Sequence, residues 1–98
     1  MEPLTNPQIR KLKALAQRMD PTTKVGRAGL SDGFLRSLDE LLSLHEIVKV
    51  KFTEFKEEKK TLAPQLAEKT SSHLVMLVGN VAVVYRQNPD PEKRKVVF

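Results

Sequence analysis

The stretch Thr22-Thr23-Lys24-Val25-Gly26-Arg27-Ala28-Gly29-Leu30-Ser31-Asp32 organises the chain around it. Thr22 to Val25 is short, β-branched and extended, and it reads as a strand that stops at Gly26. Two glycines three residues apart then leave backbone without Cβ atoms, free to take positive φ and to approach a ligand closely. Ser31 is an N-cap candidate, and Asp32 in the first turn suits the helix dipole. Beyond them Phe34, Leu35, Leu38, Leu41 and Leu42 share one helical face, opposite Arg36, Asp39, Glu40 and Ser43. The motif is strand, glycine loop, helix.

Upstream, Thr5-Asn6-Pro7-Gln8 opens a helix. Either Asn6 caps it with Pro7 at the first helical position, or Thr5 caps it and Gln8 closes a capping box. Ile9, Leu12, Leu15, Ala16 and Met19 follow on one face, and Asp20-Pro21 ends the helix. Downstream, His45-Glu46 is a turn, and Val48, Val50 and Phe52 alternate with Lys49 and Lys51 as in a half-buried strand. Glu54 to Lys60 is a dense charge run, read as a solvated loop or a frayed helix start. A third helix is expected from about Thr61 to Thr70, with Leu62 and Leu66 inward. Pro64 fits if Thr61 caps that helix; if the helix starts upstream, Pro64 lies in its interior. His73–Val78 and Val81–Arg86 are strands joined by Gly79-Asn80, the spacing of a tight hairpin. The order α-β-α-β-α-β-β implies an α+β two-layer sandwich with a four-stranded mixed sheet. Residues 1–87 form a single domain, and 88–98, with Lys93, Arg94 and Lys95, a flexible basic tail.

At 98 residues the chain holds one core, and its 40% apolar and 30% charged residues suit a folded protein. The longest apolar runs, Leu74–Val78 and Val81–Tyr85, fall far short of the ~20 residues of a membrane helix. The first seven residues lack the basic start and apolar stretch of a secretory signal. With no cysteine there is no disulfide or thiolate chemistry, and a reducing, cytoplasmic setting fits. Net charge is +5, and residues 1–30 alone carry a local +4. That balance favours a polyanion, either nucleic acid or an anionic membrane surface.

Three basic surfaces are candidates for such a ligand. The first is the loop Gly26-Arg27-Ala28-Gly29, with Lys24 beside it if Val25 points inward. The second is the opening helix, through Arg10, Lys11, Lys13 and Arg18. The third is the sheet face of Lys49 and Lys51, joined by Arg86. Each has a plainer alternative: a strand-to-helix turn, a solvated amphipathic face, a solubilising sheet face. Asp39 and Glu40 would repel phosphate from the outer face of the second helix. Phe34 and Phe52 belong to the core, leaving Tyr85 as the exposed aromatic candidate and base stacking a minor contribution. His45 and His73 have no adjacent nucleophile and no metal-ligand spacing, and neither GxxxxGK[ST] nor GxGxxG is present. No enzyme activity, cofactor, metal or small-molecule substrate is expected.

Four blocks together carry a resemblance: Lys11-Leu12-Lys13-Ala14-Leu15-Ala16, Val25 to Ser31, His45-Glu46-Ile47-Val48-Lys49-Val50-Lys51, and Val78-Gly79-Asn80-Val81 through Arg86. In this order the chain resembles the CRM domain (chloroplast RNA splicing and ribosome maturation), specifically its stand-alone bacterial YhbY-like members. The resemblance implies a monomeric, non-enzymatic RNA-binding module that associates with ribosomal RNA or precursors of the large ribosomal subunit. It implies a fold similar to the carboxy-terminal domain of translation initiation factor three, preceded by an extra helix, with Gly26–Gly29 as the binding loop. In the family the middle pair of that loop is often basic; here Arg27 is and Ala28 is not. KH domains also carry a GxxG clamp, but theirs joins two helices, whereas a strand precedes this one. A protein-docking adaptor is the competing class, and steep salt dependence would mark the RNA reading. Duplex DNA binding lacks a helix-turn-helix reading head.

Overall fold

The strand Val81–Tyr85 is apolar on both of its faces and buried from Ala82 to Tyr85, so the sheet is covered on both sides. The computed structural model, which describes residues 2–98, supplies that cover. The elements are α1 (Asn6–Gln17), β1 (Thr23–Val25), α2 (Asp32–His45), β2 (Ile47–Phe52), α3 (Lys59–Lys69), β3 (His73–Val78) and β4 (Val81–Tyr85), with short 3₁₀ turns at Lys56–Glu58 and Pro91–Lys93. Strand order is β1-β2-β4-β3, with β1 parallel to β2 and the other pairs antiparallel. No helix among the described residues is long and apolar enough to cross a membrane.

Val48, Val50 and Phe52 of β2 join Val25, Ala82 and Val84 beneath α2 and α3, which contribute Leu38, Leu42, Ala63 and Leu66. This is the sandwich the element order predicts. On the opposite face Ile47, Val75, Val83 and Tyr85 receive Leu12 and Ala16 of α1, together with Val96. A bulge between Leu74 and Met76 disrupts the β3 ladder, and Val75 and Met76 both reach the α1 side. Thr5, not Asn6, caps α1: its hydroxyl accepts from Gln8 N at 3.3 Å while Gln8 Oε1 accepts from Thr5 N at 2.9 Å. Ser31 caps α2 by accepting from Phe34 N at 3.2 Å.

The third helix starts upstream of Thr61, at Lys59, and Pro64 is its sixth residue. Pro64 and Lys60 both face solvent, so water can take the Lys60 carbonyl that lacks an intrahelical donor.

Residues 88–98 depart from the expected free tail. Glu46, fully buried at φ 67°, closes α2, and its carboxylate accepts from the backbone N–H groups of Asn88, Lys95 and Val96 at 2.6, 2.5 and 2.8 Å. Val96 is buried under α1, and Phe98 meets Tyr85 edge to face at 5.8 Å. The basic cluster Lys93-Arg94-Lys95 suggested a flexible tail; a single buried carboxylate accepting from three backbone donors docks it instead.

Candidate nucleic-acid interface

The glycine loop is a tight turn in which Gly29 N donates to Gly26 O at 3.0 Å. Only Gly29 of its two glycines takes positive φ, at 62°, which a residue with a Cβ adopts at a cost of about 1 kcal/mol. A Cβ at Gly26 would meet nothing within 4 Å, so packing does not require glycine there. That backbone is open to a ligand from outside.

Val25 anchors the turn from within. Its side chain is buried, and its carbonyl accepts from Thr53 N (3.1 Å), Glu54 N (3.2 Å) and Thr53 Oγ1 (3.0 Å). These three bonds staple the segment after β2 to the strand that enters the turn. Parallel pairing sets Lys24 directly beside Lys51, both exposed. Arg27 projects from the turn, also exposed.

The sequence-predicted cations fall into two groups. Arg10, Lys13, Arg18, Lys24, Arg27 and Lys51 are exposed, and among the described residues their side chains make no hydrogen bond or ion pair. Unpaired cations at the surface can exchange counterions for phosphates without first breaking internal bonds. The others are committed inside the molecule.

Lys49 is a correction. Because α1 covers the face onto which Lys49 projects, its Nζ donates to the carbonyls of Ala16 and Met19 at 2.8 and 2.9 Å, at the C-terminal end of α1. A cation there also suits the negative end of the helix dipole. Arg86 is a second correction. It follows Tyr85, so it projects to the opposite face from Lys49 and Lys51. There Nη1 donates to Asp39 Oδ1 (2.6 Å) and the Thr70 carbonyl (2.8 Å), and Nη2 to the Asp39 carbonyl and Ser43 Oγ (both 2.9 Å). Arg86 ties β4 to α2 and to the end of α3 and leaves no fork for phosphate. Lys11 is partly committed as well, its Nζ donating to the Val97 carbonyl.

The aromatic assignment also changes. Tyr85 is 2% exposed, stacked on His73 at 6.3 Å. Its hydroxyl has no partner among the described residues. Burial first, then the Glu46 carboxylate, push that hydroxyl above its ordinary pKa, opposed by Arg94. Burial lowers the pKa of His73. The exposed aromatics are Phe98, at 47% and packed edge to face on Tyr85, and Phe55, at 40%; of these Phe55 stands beside the glycine turn, where a Cβ on Gly29 would lie 3.4 Å from its ring. Sequence reasoning passed over Phe55 inside the charge run. The available signal was its parity, since the core positions Val48, Val50 and Phe52 continue to 54 and not to 55. Among the described residues no three His, Cys, Asp or Glu side chains form a metal-holding group.

With this geometry in view, similarity to known proteins becomes informative. The model of the CRS1 / YhbY (CRM) domain matches residues 4–86. The chain is 34% identical over 91 residues to "Probable RNA-binding protein PA4753" of Pseudomonas aeruginosa, covering 92% of this chain and 88% of that one. It is 31% identical over 88 residues to "Probable RNA-binding protein YqeI" of Bacillus subtilis, covering 89% and 92%. The solution structure of SAV1595 from Staphylococcus aureus superposes with a TM-score of 0.77 at 32% identity, across 97% of this chain and all of that one. Matched over this much of its length, in sequence and in fold, the chain belongs to the CRS1 / YhbY (CRM) domain family.

Proposed function

We propose that this protein is a non-enzymatic RNA-binding module that engages ribosomal RNA or a precursor of the large ribosomal subunit, acting as a cytoplasmic monomer. The observation that carries the reading is the open Gly26–Gly29 turn, bearing Arg27 and flanked by Lys24 and Lys51, all exposed and without internal partners among the described residues. Family membership and the printed names of the relatives support RNA as the polyanion. Arg27 offers a planar fork of donors to phosphate oxygens, and Lys24 and Lys51 add point charges along the same edge. Arg10, Lys13 and Arg18 extend the positive surface along α1. The ribosomal target is what the family resemblance implies.

The test is binding to large-subunit ribosomal RNA fragments at several salt concentrations, with a Lys24→Glu, Arg27→Glu variant beside the wild type. Neutralising ~5 phosphates on single-stranded RNA gives a slope of log affinity against log salt near −3.5. Wild type should show that slope, and the variant should bind at least tenfold more weakly. A flat salt dependence, or equal binding by the variant, rejects the interface and redirects the search to a protein partner. Equal affinity for unrelated RNA of the same length rejects the ribosomal target while leaving RNA binding in place.

A further inference from the structure

We infer that Phe55 is a stacking platform for one unpaired nucleobase, so that the RNA this surface takes is single-stranded or looped where it crosses the glycine turn. The inference rests on the RNA-binding reading and sharpens it.

Three observations converge. Phe55 adopts φ 56°, ψ 35°, a left-handed conformation uncommon for a bulky non-glycine residue. It belongs to neither core cluster: the residue is 40% exposed, and a Cβ built on Gly29 would lie 3.4 Å from its ring. The three bonds to the Val25 carbonyl fix the preceding residues, Thr53 and Glu54, and so hold the ring at the turn without burying it.

Phe55 lines a shallow, open hollow on the surface together with Arg27, Thr53 and the residues of the charge run. Its charged lining is Arg27 and Lys56 against Glu54, Glu57 and Glu58. Three carboxylates to two cations disfavour phosphate there, while an uncharged base on an aromatic face tolerates them. Charge thus divides the surface: phosphates belong on the Lys24, Lys51 and Arg27 side, and a base turned out of the strand belongs on Phe55. A paired base cannot reach the ring, because its face is already stacked within the helix.

The chain contains no tryptophan, which allows a direct test. Phe55→Trp introduces a single indole at the platform; Phe55→Leu keeps apolar bulk without a π face. Each is titrated with a single-stranded oligonucleotide and with a fully paired duplex of equal phosphate number. Stacking on one aromatic supports about a tenfold change in affinity. Phe55→Leu should lose that factor for the single strand alone, with its salt slope unchanged because no phosphate contact is removed. Phe55→Trp should retain wild-type affinity and show emission quenched by the single strand, not by the duplex. If wild type binds RNA with steep salt dependence while Phe55→Leu binds within twofold and the indole is not quenched, the platform is wrong and RNA binding stands. If wild type binds no RNA, both fall.

Discussion

The two ends of β2 carry the same backbone feature with opposite consequences. Glu46 precedes the strand and Phe55 follows it by three residues, and both are non-glycine residues at positive φ, 67° and 56°. Conformations of this kind cost of order 1–3 kcal/mol and persist only where the surroundings over-determine them. At Glu46 the reason is internal: the side chain is fully buried and three backbone N–H groups donate to it. Phe55 is instead 40% exposed, beside a turn edged by cations that have no partner among the described residues. One end of β2 closes the molecule on itself, and the other presents an unused surface. The contrast separates two kinds of charge in a small basic protein: those that tie the fold together already have partners, and those around the glycine turn have none among the described residues.

The largest effect should come from breaking the closed end. Glu46→Ala strands three backbone donors, and about 3 kcal/mol, the upper end for a lost buried partner, should be lost. For a domain of this size each kcal/mol is worth roughly 4–8 °C in Tm. Thermal unfolding measures the loss, and amide exchange at Lys95 and Val96 should rise with it. A Tm within 4 °C of wild type would mean that the carboxylate does not hold the C-terminal segment.

Lys49 and Lys51 sharpen the comparison within one strand. Lys49→Met removes two charge-assisted bonds to the end of α1 and should cost about 2 kcal/mol of stability. Lys51→Met should leave denaturant unfolding unchanged and reduce the salt slope of RNA binding by ~0.7, the share of one phosphate. The reverse assignment would exchange the roles given to these two lysines.

At the open end, Lys24→Glu with Arg27→Glu should weaken RNA binding at least tenfold, ~1.4 kcal/mol, while stability stays within ~1 kcal/mol of wild type. Loss of folding would show that the turn is structural after all. Within the turn, Gly29→Ala should destabilise by about 1 kcal/mol, because it forces a Cβ into left-handed backbone against the Phe55 ring. Gly26→Ala has room and should unfold at the wild-type denaturant midpoint; any defect it shows should appear in RNA affinity alone.

The smallest effect is titration. The pKa of His73 is lowered in the folded state, so the unfolded chain binds more protons as pH falls below 6.5, the ordinary imidazole value. Stability is therefore full above that value and declines below it, and His73→Gln should flatten the acid limb of a Tm–pH profile. Tyr85 runs the other way: its raised pKa keeps it neutral in the fold, so stability declines above pH 10.0. A profile of wild type and variant that coincide below pH 6.5 would remove His73 from this account.

How much of this the sequence carried depends on whether the deciding interaction is local. The capping residue Ser31, the glycine turn, the alternation of β2 and the Gly79-Asn80 hairpin are written in residues a few positions apart, and each formed where it was read. Lys49 and Lys51 looked equivalent because a period of two separates the faces of a strand without saying what lies over each. Arg86 was placed with them although its parity opposes theirs; its four acceptors come from α2 and the end of α3 and are visible only once those helices dock. The segment 88–98 looked free because its anchor, Glu46, lies more than 40 positions earlier.

By itself, then, the sequence determined the order of the elements, the four-stranded mixed sheet, the glycine turn and the excess of positive charge at the amino-terminal third, all set by local geometry and composition. Only the tertiary structure decided which cations remain unpaired among the described residues, that α1 and the C-terminal segment cover the second face of the sheet, and that Tyr85 is buried while Phe55 stands exposed beside the glycine turn. Those outcomes depend on which distant groups arrive within hydrogen-bonding distance. Local pattern does not encode that; packing settles it.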